Sequence, residues 1–265
     1  MRFQIDHDYH IHSNISLCAS DPNQTPENIL KHAIDNSLVD ICLTDHYWDR
    51  AVPGASEWCG KQDFDHINAA RPLPSVPGVR FMFGCEADMK KDCSLTIPKF
   101  RYDEFDFIII STTHMHMVGY TVSEEDVKSP ESIARVWVRR MDALLASDLP
   151  FKKTGIAHLA ASLINLTSRE NYLKTLDLIP TEDMQRIFTR AAELGCGIEI
   201  NKSDMSFAES EADTVLCMFR IAKACGCKFY LGSDAHTNKE FLGAKEIFER
   251  AIDMLGLTED DKFRV

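Results

Sequence analysis

The sequence predicts an α/β fold in which parallel strands alternate with helices and close into a barrel. Short apolar runs, typical of buried parallel strands, recur along the chain and are separated by longer segments with helical periodicity. An open, doubly wound sheet has the same alternation. However, no G-x-G-x-x-G turn follows the first run, which disfavours the dinucleotide-binding version of such a sheet.

The predicted strands are short runs rich in apolar residues. The run Phe107-Ile108-Ile109-Ile110 is continuously apolar, as expected for a strand that is covered on both faces. The seven strands are expected at residues 3–10, 39–44, 79–86, 107–111, 154–158, 197–201 and 228–232.

The first helix is predicted to begin at Pro26. Thr25 is a favoured N-cap, proline is favoured at the first helical position, and Glu27 places an acidic residue in the first turn. Further helices are predicted at residues 130–146, 181–194, 211–224 and 239–255. The longest irregular segment, residues 47–78, contains one short helix near residues 63–70. We expect this loop to overhang the functional site, because long loops in compact domains are often functional.

Length and charge limit the classes of function. The 265 residues suit one sizeable core, so a single domain over residues 1–265 is expected. The net charge of −12 would repel a phosphate backbone, so a long nucleic acid is not expected as a partner.

The chain shows neither an N-terminal signal core nor an apolar run long enough to span a bilayer. Several of the nine cysteines lie in or beside apolar strand-like runs and are interpreted as reduced. These observations predict a cytoplasmic protein with no membrane partner.

Residue types that bind metal ions follow the predicted strands. Because the carboxyl ends of parallel barrel strands meet at one face, these side chains are expected to converge on a metal site. Eight ligands are too many for one zinc ion and suit two or three divalent ions, of Zn²⁺, Mn²⁺ or Fe²⁺, with Glu86 or Asp234 bridging them. The eight candidates are His10, His12, His46, Glu86, His114, His158, Asp234 and His236.

The motifs around these residues resemble those of the polymerase-and-histidinol-phosphatase (PHP) superfamily. The resemblance implies a distorted, seven-stranded, TIM-like (β/α)₇ barrel, metal-dependent phosphoesterase activity, and metal ligation by the eight residues. The histidinol-phosphatase branch is the most similar. In chain order the motifs are Asp8-Tyr9-His10-Ile11-His12-Ser13, Leu43-Thr44-Asp45-His46, Gly84-Cys85-Glu86, the isolated His114 and His158, and Gly232-Ser233-Asp234-Ala235-His236.

One departure from the family pattern concerns the number of ions. Members with three metals usually carry a further His or Asp shortly after the H-x-H motif, whereas residues 13–21 here contain no histidine. Asp21 is the predicted substitute and therefore a ninth candidate ligand. Cys18 is a poorer alternative, and both two and three ions remain open.

The resemblance and the expected ions predict hydrolysis of a small phosphate monoester by a metal-activated hydroxide. Glu86 and Asp234 are expected to hold the ions, and His236 or Asp45 to handle the proton of the leaving group. Lys202, directly after the sixth strand, is the best-placed candidate for binding substrate charge, and Arg169, Arg139 and Arg140 are the others.

Three other functions are compatible with parts of the sequence. A nucleotide phosphodiesterase or short-oligonucleotide exonuclease would need a basic and aromatic groove, which a net charge of −12 disfavours. A non-catalytic, regulatory metal-binding domain is disfavoured by the nearly complete ligand set. A hydrolase of C–N bonds on a similar barrel commonly needs a carboxylated lysine, and no lysine replaces Glu86 or lies near the fourth strand end.

Overall fold

A computed structural model describes all residues, 1–265, and shows a nearly closed barrel of parallel strands surrounded by helices. Every predicted strand is present, which confirms the predicted fold class. The short β3 continues the path of β2 and pairs with β4 beyond it. The strands are β1 (His7–Ile11), β2 (Asp40–Leu43), β3 (His46–Tyr47), β4 (Arg80–Asp88), β5 (Phe107–Ser111), β6 (Thr154–Ile156), β7 (Gly197–Asn201) and β8 (Lys228–Gly232).

The barrel closes between its first and last strands. Neighbouring strands follow the order β1-β2-β4-β5-β6-β7-β8 and are parallel throughout. Just beyond β8, the backbone N–H of Asp234 donates to the carbonyl of His10 at 2.7 Å, and that of His12 donates to Ala235 at 3.0 Å. These bonds bring the two ends of the sheet together at the candidate ligands His10, His12 and Asp234.

Seven α-helices connect and cover the strands, and none combines the length and apolar character that a transmembrane span requires. The side chain of Thr25 accepts a hydrogen bond from the backbone of Asn28, so the predicted N-cap of the first helix is confirmed. The helices are α1 (Pro26–Asp35), α2 (Phe64–Asn68), α3 (Pro130–Leu145), α4 (Arg169–Asp177), α5 (Thr181–Leu194), α6 (Ala212–Ala224) and α7 (Ala244–Leu255).

The largest differences from the sequence prediction are two element starts and one additional helix, while several other boundaries shift by one or two residues. β1 begins at His7 rather than at residue 3. α7 begins five residues later than predicted, because Gly243 takes a left-handed backbone (φ 73°) directly before it. α4 was not predicted, since only Tyr172, Thr175 and Leu176 are buried and its apolar stripe is too short to detect.

Aromatic side chains fill the amino-terminal part of the barrel interior. Tyr9, Phe107, Tyr230 and Phe263 belong to one buried cluster. A Cβ atom at Gly155 would come within 2.6 Å of the rings of Phe107 and Tyr230. Glycine is therefore required at this position of β6 so that the two rings fit. The interior is therefore packed at that end, and polar side chains converge only at the opposite, carboxyl-terminal end.

Candidate metal centre

The eight candidate ligands lie on or just beyond the carboxyl ends of the strands. Glu86 lies within β4, and the others lie close to the ends of β1, β2, β5, β6 and β8. His10, His12, Glu86 and His158 are almost completely buried. The strand alternation places the side chains of His10 and His12 on the same face, as the H-x-H spacing requires.

The ligand atoms converge closely enough to hold metal ions. They form three groups, in each of which the atoms lie within 4.8 Å of one another, and His12 belongs to two of them. The Nε2 atoms of His10 and His12 are 3.1 Å apart. The groups are His12, His46 and His236; His10, His12 and Asp234; and Glu86, His114 and His158.

The carboxylate of Glu86 lies between two sides of this cluster. Its Oε1 is 2.9 Å from Nε2 of His158, and its Oε2 is 2.8 Å from Nδ1 of His46. Oε2 is buried, has no hydrogen-bond donor, and also lies 3.4 Å from Nε2 of His12. A buried carboxylate oxygen that faces several imidazole nitrogens without a donor fits a bridging metal ligand.

The electrostatic environment keeps both candidate bridging carboxylates ionised. Burial acts to raise the pKa of Glu86, but His46 and His10 hold it well below its usual value. Burial has the same effect on Asp234, where His10 and His12 outweigh it and lower the pKa. Imidazole nitrogen and carboxylate oxygen together fit Zn²⁺, Mn²⁺ or Fe²⁺, so the residues present suit the predicted group.

Three outer residues hold the rings of the histidines, and the sequence analysis did not identify any of them. Nδ1 of His10 lies 2.7 Å from Glu199, Nδ1 of His114 lies 2.7 Å from Asp88, and Nδ1 of His158 lies 2.7 Å from Thr113. Each contact leaves the Nε2 atom directed at the cluster. Glu199 had a detectable signal, a carboxylate inside an otherwise apolar strand, between Ile198 and Ile200.

Asp45 is committed to a turn rather than to the cluster. Its carboxylate accepts hydrogen bonds from the backbone and hydroxyl of Ser13 and from the hydroxyl of Ser16, each at 2.7 Å. Asp45 thus stabilises the turn that follows β1.

The structure separates the two candidates for an additional ligand after the H-x-H motif. Asp21 accepts backbone hydrogen bonds from Asn23 and Asn238 and belongs to none of the three groups. Cys18 lines the cavity above the cluster. Burial acts to raise the pKa of the Cys18 thiol, but hydrogen bonds to His236 and His46 lower it to about 7.

The candidates for substrate charge lie outside this cavity. Lys202 donates to the carbonyl of Glu240, and Arg169 forms a two-pronged ion pair with Glu211, at 2.8 and 2.5 Å. Neither lines the cavity, whose lining contains no lysine or arginine. Lys202 was a candidate because it directly follows β7 in the sequence. Its side chain instead turns towards Glu240, in the segment that precedes α7.

A cavity of about 380 Å³ opens above the cluster, and its lining includes apolar side chains. These are Trp58, Met117 and Leu163. The ring of Trp58 meets His46 edge-on, with 5.8 Å between ring centres. Among the aromatic residues of the long 47–78 loop, Trp58 lines the cavity, whereas Trp48 is buried away from it.

The family model of the PHP domain matches residues 8–203, which is most of the chain. The chain belongs to the PHP domain family. The matched segment contains six of the eight candidate ligands, and Asp234 and His236 follow it in the chain.

Individual relatives are distant. The chain is 24% identical over 234 residues to probable phosphatases from Thermoanaerobacter sp. (strain X514) and Thermoanaerobacter pseudethanolicus, which covers 87% of this chain and 79% of each relative. Its fold is similar to that of a histidinol phosphate phosphatase from Lactococcus lactis, solved with zinc, L-histidinol and phosphate. That comparison gives a TM-score of 0.63 and 18% identity over 98% of this chain and 99% of the other.

Proposed function

We propose that this protein is a metal-dependent phosphoesterase that hydrolyses a small phosphate monoester, as a histidinol phosphatase does. One observation carries the proposal. A cavity lined by imidazoles and carboxylates contains no lysine or arginine, so bound metal ions would supply the lasting positive charge that phosphate needs there. The similarity to probable phosphatases and to a histidinol phosphate phosphatase fold supports the same class of reaction.

The eight clustered residues would hold two divalent ions, or three with help from Cys18 at the group formed by His12, His46 and His236. Such ions lower the pKa of water and neutralise the charge of a phosphoryl group. The carboxylates of Glu86 and Asp234 fix the spacing of the imidazoles around them, and Glu86 in addition reaches both sides of the cluster.

The leaving group needs a proton. If two ions occupy the His10, His12, Asp234 group and the Glu86, His114, His158 group, His236 binds no ion and is our candidate for supplying that proton. His236 lies at the cavity wall and is less buried than His10 or His12. Burial acts to lower its pKa, but a hydrogen bond to Cys18 and the charge of Asp234 raise it above its usual value. Asp45 is engaged by Ser13 and Ser16, so in this proposal it orients the turn beside His12 instead.

The size of the cavity favours a monoester of a small metabolite. About 380 Å³ accommodates a drug-sized molecule, whereas a nucleotide chain needs a longer, basic groove. The apolar lining residues Trp58, Met117 and Leu163 would contact the organic part of the substrate.

The test combines metal analysis with a substrate panel of histidinol phosphate, other small monoesters, cyclic dinucleotides and short oligonucleotides. We expect bound transition metal after gentle purification and the highest kcat/KM on a monoester. Faster cleavage of diesters would favour the phosphodiesterase alternative. Metal binding without any hydrolysis would favour the regulatory alternative.

A further inference from the structure

One buried carboxylate, that of Glu199, contacts two candidate ligands that belong to different metal-binding groups. Glu199 lies in the middle of β7 and is completely buried. Its Oε1 is 2.7 Å from Nδ1 of His10, and its Oε2 accepts the backbone N–H of His158 at 2.6 Å. Asn201 donates to the same Oε2 at 3.3 Å.

The surrounding structure is shaped to hold this carboxylate. A Cβ atom at Gly232, on the adjacent strand β8, would come within 1.8 Å of Oε1, so only glycine leaves room for it. His158 has a φ of 28°, which residues with a side chain rarely adopt. The hydrogen bond from its N–H to Glu199 helps to stabilise that conformation.

We propose that Glu199 is a positioning residue that orients His10 and His158 together, so that both Nε2 atoms face the metal ions. The inference rests on the metal-binding part of the proposed function. When Nδ1 of His10 donates its hydrogen to Glu199, Nε2 is left unprotonated and free to bind metal. The second oxygen meanwhile fixes the backbone of His158.

Both carboxylate oxygens of Glu199 must accept hydrogen bonds in this arrangement. A glutamine amide has only one accepting oxygen, so it cannot accept both bonds. In Glu199→Gln, the amide oxygen can satisfy the backbone N–H of His158, which has no alternative tautomer. The amide NH₂ group then faces Nδ1 of His10 and favours the tautomer with hydrogen on Nε2, which cannot bind metal. Glu199→Gln is nearly isosteric, so it tests orientation rather than packing.

The experiment measures zinc binding by competition with a chromophoric chelator, on full-length wild type, Glu199→Gln and the exposed control Glu209→Gln. We expect about 10- to 100-fold weaker binding of at least one zinc equivalent in Glu199→Gln and no change in the control. In zinc-loaded protein, a downfield imidazole N–H resonance of wild type should disappear in Glu199→Gln.

Two results would overturn the inference. One is unchanged affinity for every zinc equivalent in Glu199→Gln. The other is equal weakening of all equivalents together with a matching fall in the Tm of chelator-treated protein, which would indicate general destabilisation. Substrate is absent from these measurements. A positive zinc result combined with no phosphatase activity would therefore leave this inference standing and contradict the proposed function.

Discussion

At the scale of single residues, our proposal depends most on Glu86, because its two oxygens face different sides of the cluster. Oε1 lies close to His158, whereas Oε2 lies close to His46 and has no hydrogen-bond donor. Burying an ionised carboxylate is costly unless positive charge surrounds it. In the metal-free protein His46 and His10 provide that positive charge and hold the pKa of Glu86 well below its usual value, and bound cations would take over the same role.

Glu86→Gln should remove that negative charge without changing the shape of the side chain. We expect at least about 100-fold lower phosphatase kcat and loss of bound metal, measured by steady-state kinetics and elemental analysis. Glu193→Gln, on an exposed surface, is the control and should match wild type. Full metal content and activity in Glu86→Gln would remove Glu86 from the proposed site.

At the scale of elements, the long loop before β4 contributes one exposed aromatic residue to the cavity. Trp58 is 40% exposed, although neighbouring parts of the loop are packed into the barrel. Its ring stands edge-on to His46 and faces the same space as Met117 and Leu163. We infer that this element selects the organic part of the substrate.

Trp58→Ala should reduce discrimination between two alkyl monoesters that differ only in an apolar ring. The ratio of kcat/KM for 2-phenylethyl phosphate to that for ethyl phosphate should fall by about 10-fold, because apolar contacts of this size contribute 1–3 kcal/mol. Phe100→Ala, at an exposed aromatic residue outside the cavity, should leave the ratio unchanged. An equal loss on both substrates would instead show that Trp58 acts through His46.

The segments after β4 and β5 are held by a buried arginine on α3. Arg140 donates to the carbonyls of Thr112, Thr121 and Met89, at 2.6, 2.5 and 2.8 Å. Burial lowers the pKa of its guanidinium to about 10. Arg140 is thus a structural residue, and its interactions fix the segment that carries His114.

Arg140→Met should lower the free energy of unfolding by about 3 kcal/mol or more, because several buried carbonyl groups lose their donor. Urea denaturation measures this loss. The neighbouring Arg139 is exposed and paired with Asp126, so Arg139→Met should cost less than about 1 kcal/mol. Similar losses in the two variants would contradict the anchoring role of Arg140.

At the scale of the whole molecule, the candidate ligands come from most of the barrel strands, so metal binding should stabilise the entire fold. At an ion concentration 100 times the dissociation constant, one ion adds about 2.7 kcal/mol. We expect chelation to lower the Tm by roughly 5 to 10 °C, and zinc to restore it. An unchanged Tm would mean that no ion binds preferentially to the folded protein.

This stabilisation should weaken as the pH falls. In the metal-free protein, carboxylates raise the pKa of His10 and His46 above the usual value, and Glu86 raises that of His158 to about 9. Below these pKa values the imidazoles are protonated, and an ion must displace the protons in order to bind. Metal affinity should therefore rise between pH 6 and pH 9, which chelator competition at several pH values would measure. A flat profile would contradict metal binding by these imidazoles.

The sequence determined the strand order and most of the convergent residues. The alternation of apolar and amphipathic segments is local, and side chains such as His10, Glu86 and Asp234 stand at strand ends that any parallel barrel brings together. The family match and the fold confirm the predicted family and the predicted barrel. The local pattern was too weak to predict α4 and to place the starts of β1 and α7.

Tertiary structure alone decided which polar residues support the site. Glu199 lies 189 positions from His10 in the sequence, and their contact depends on barrel closure. The direction of Lys202 and the choice of Cys18 over Asp21 at the cavity wall likewise depend on how loops fold back over the strands. Periodicity and residue type specify elements because they act over a few residues. Hydrogen bonds between distant segments follow from packing, which no short stretch of sequence contains.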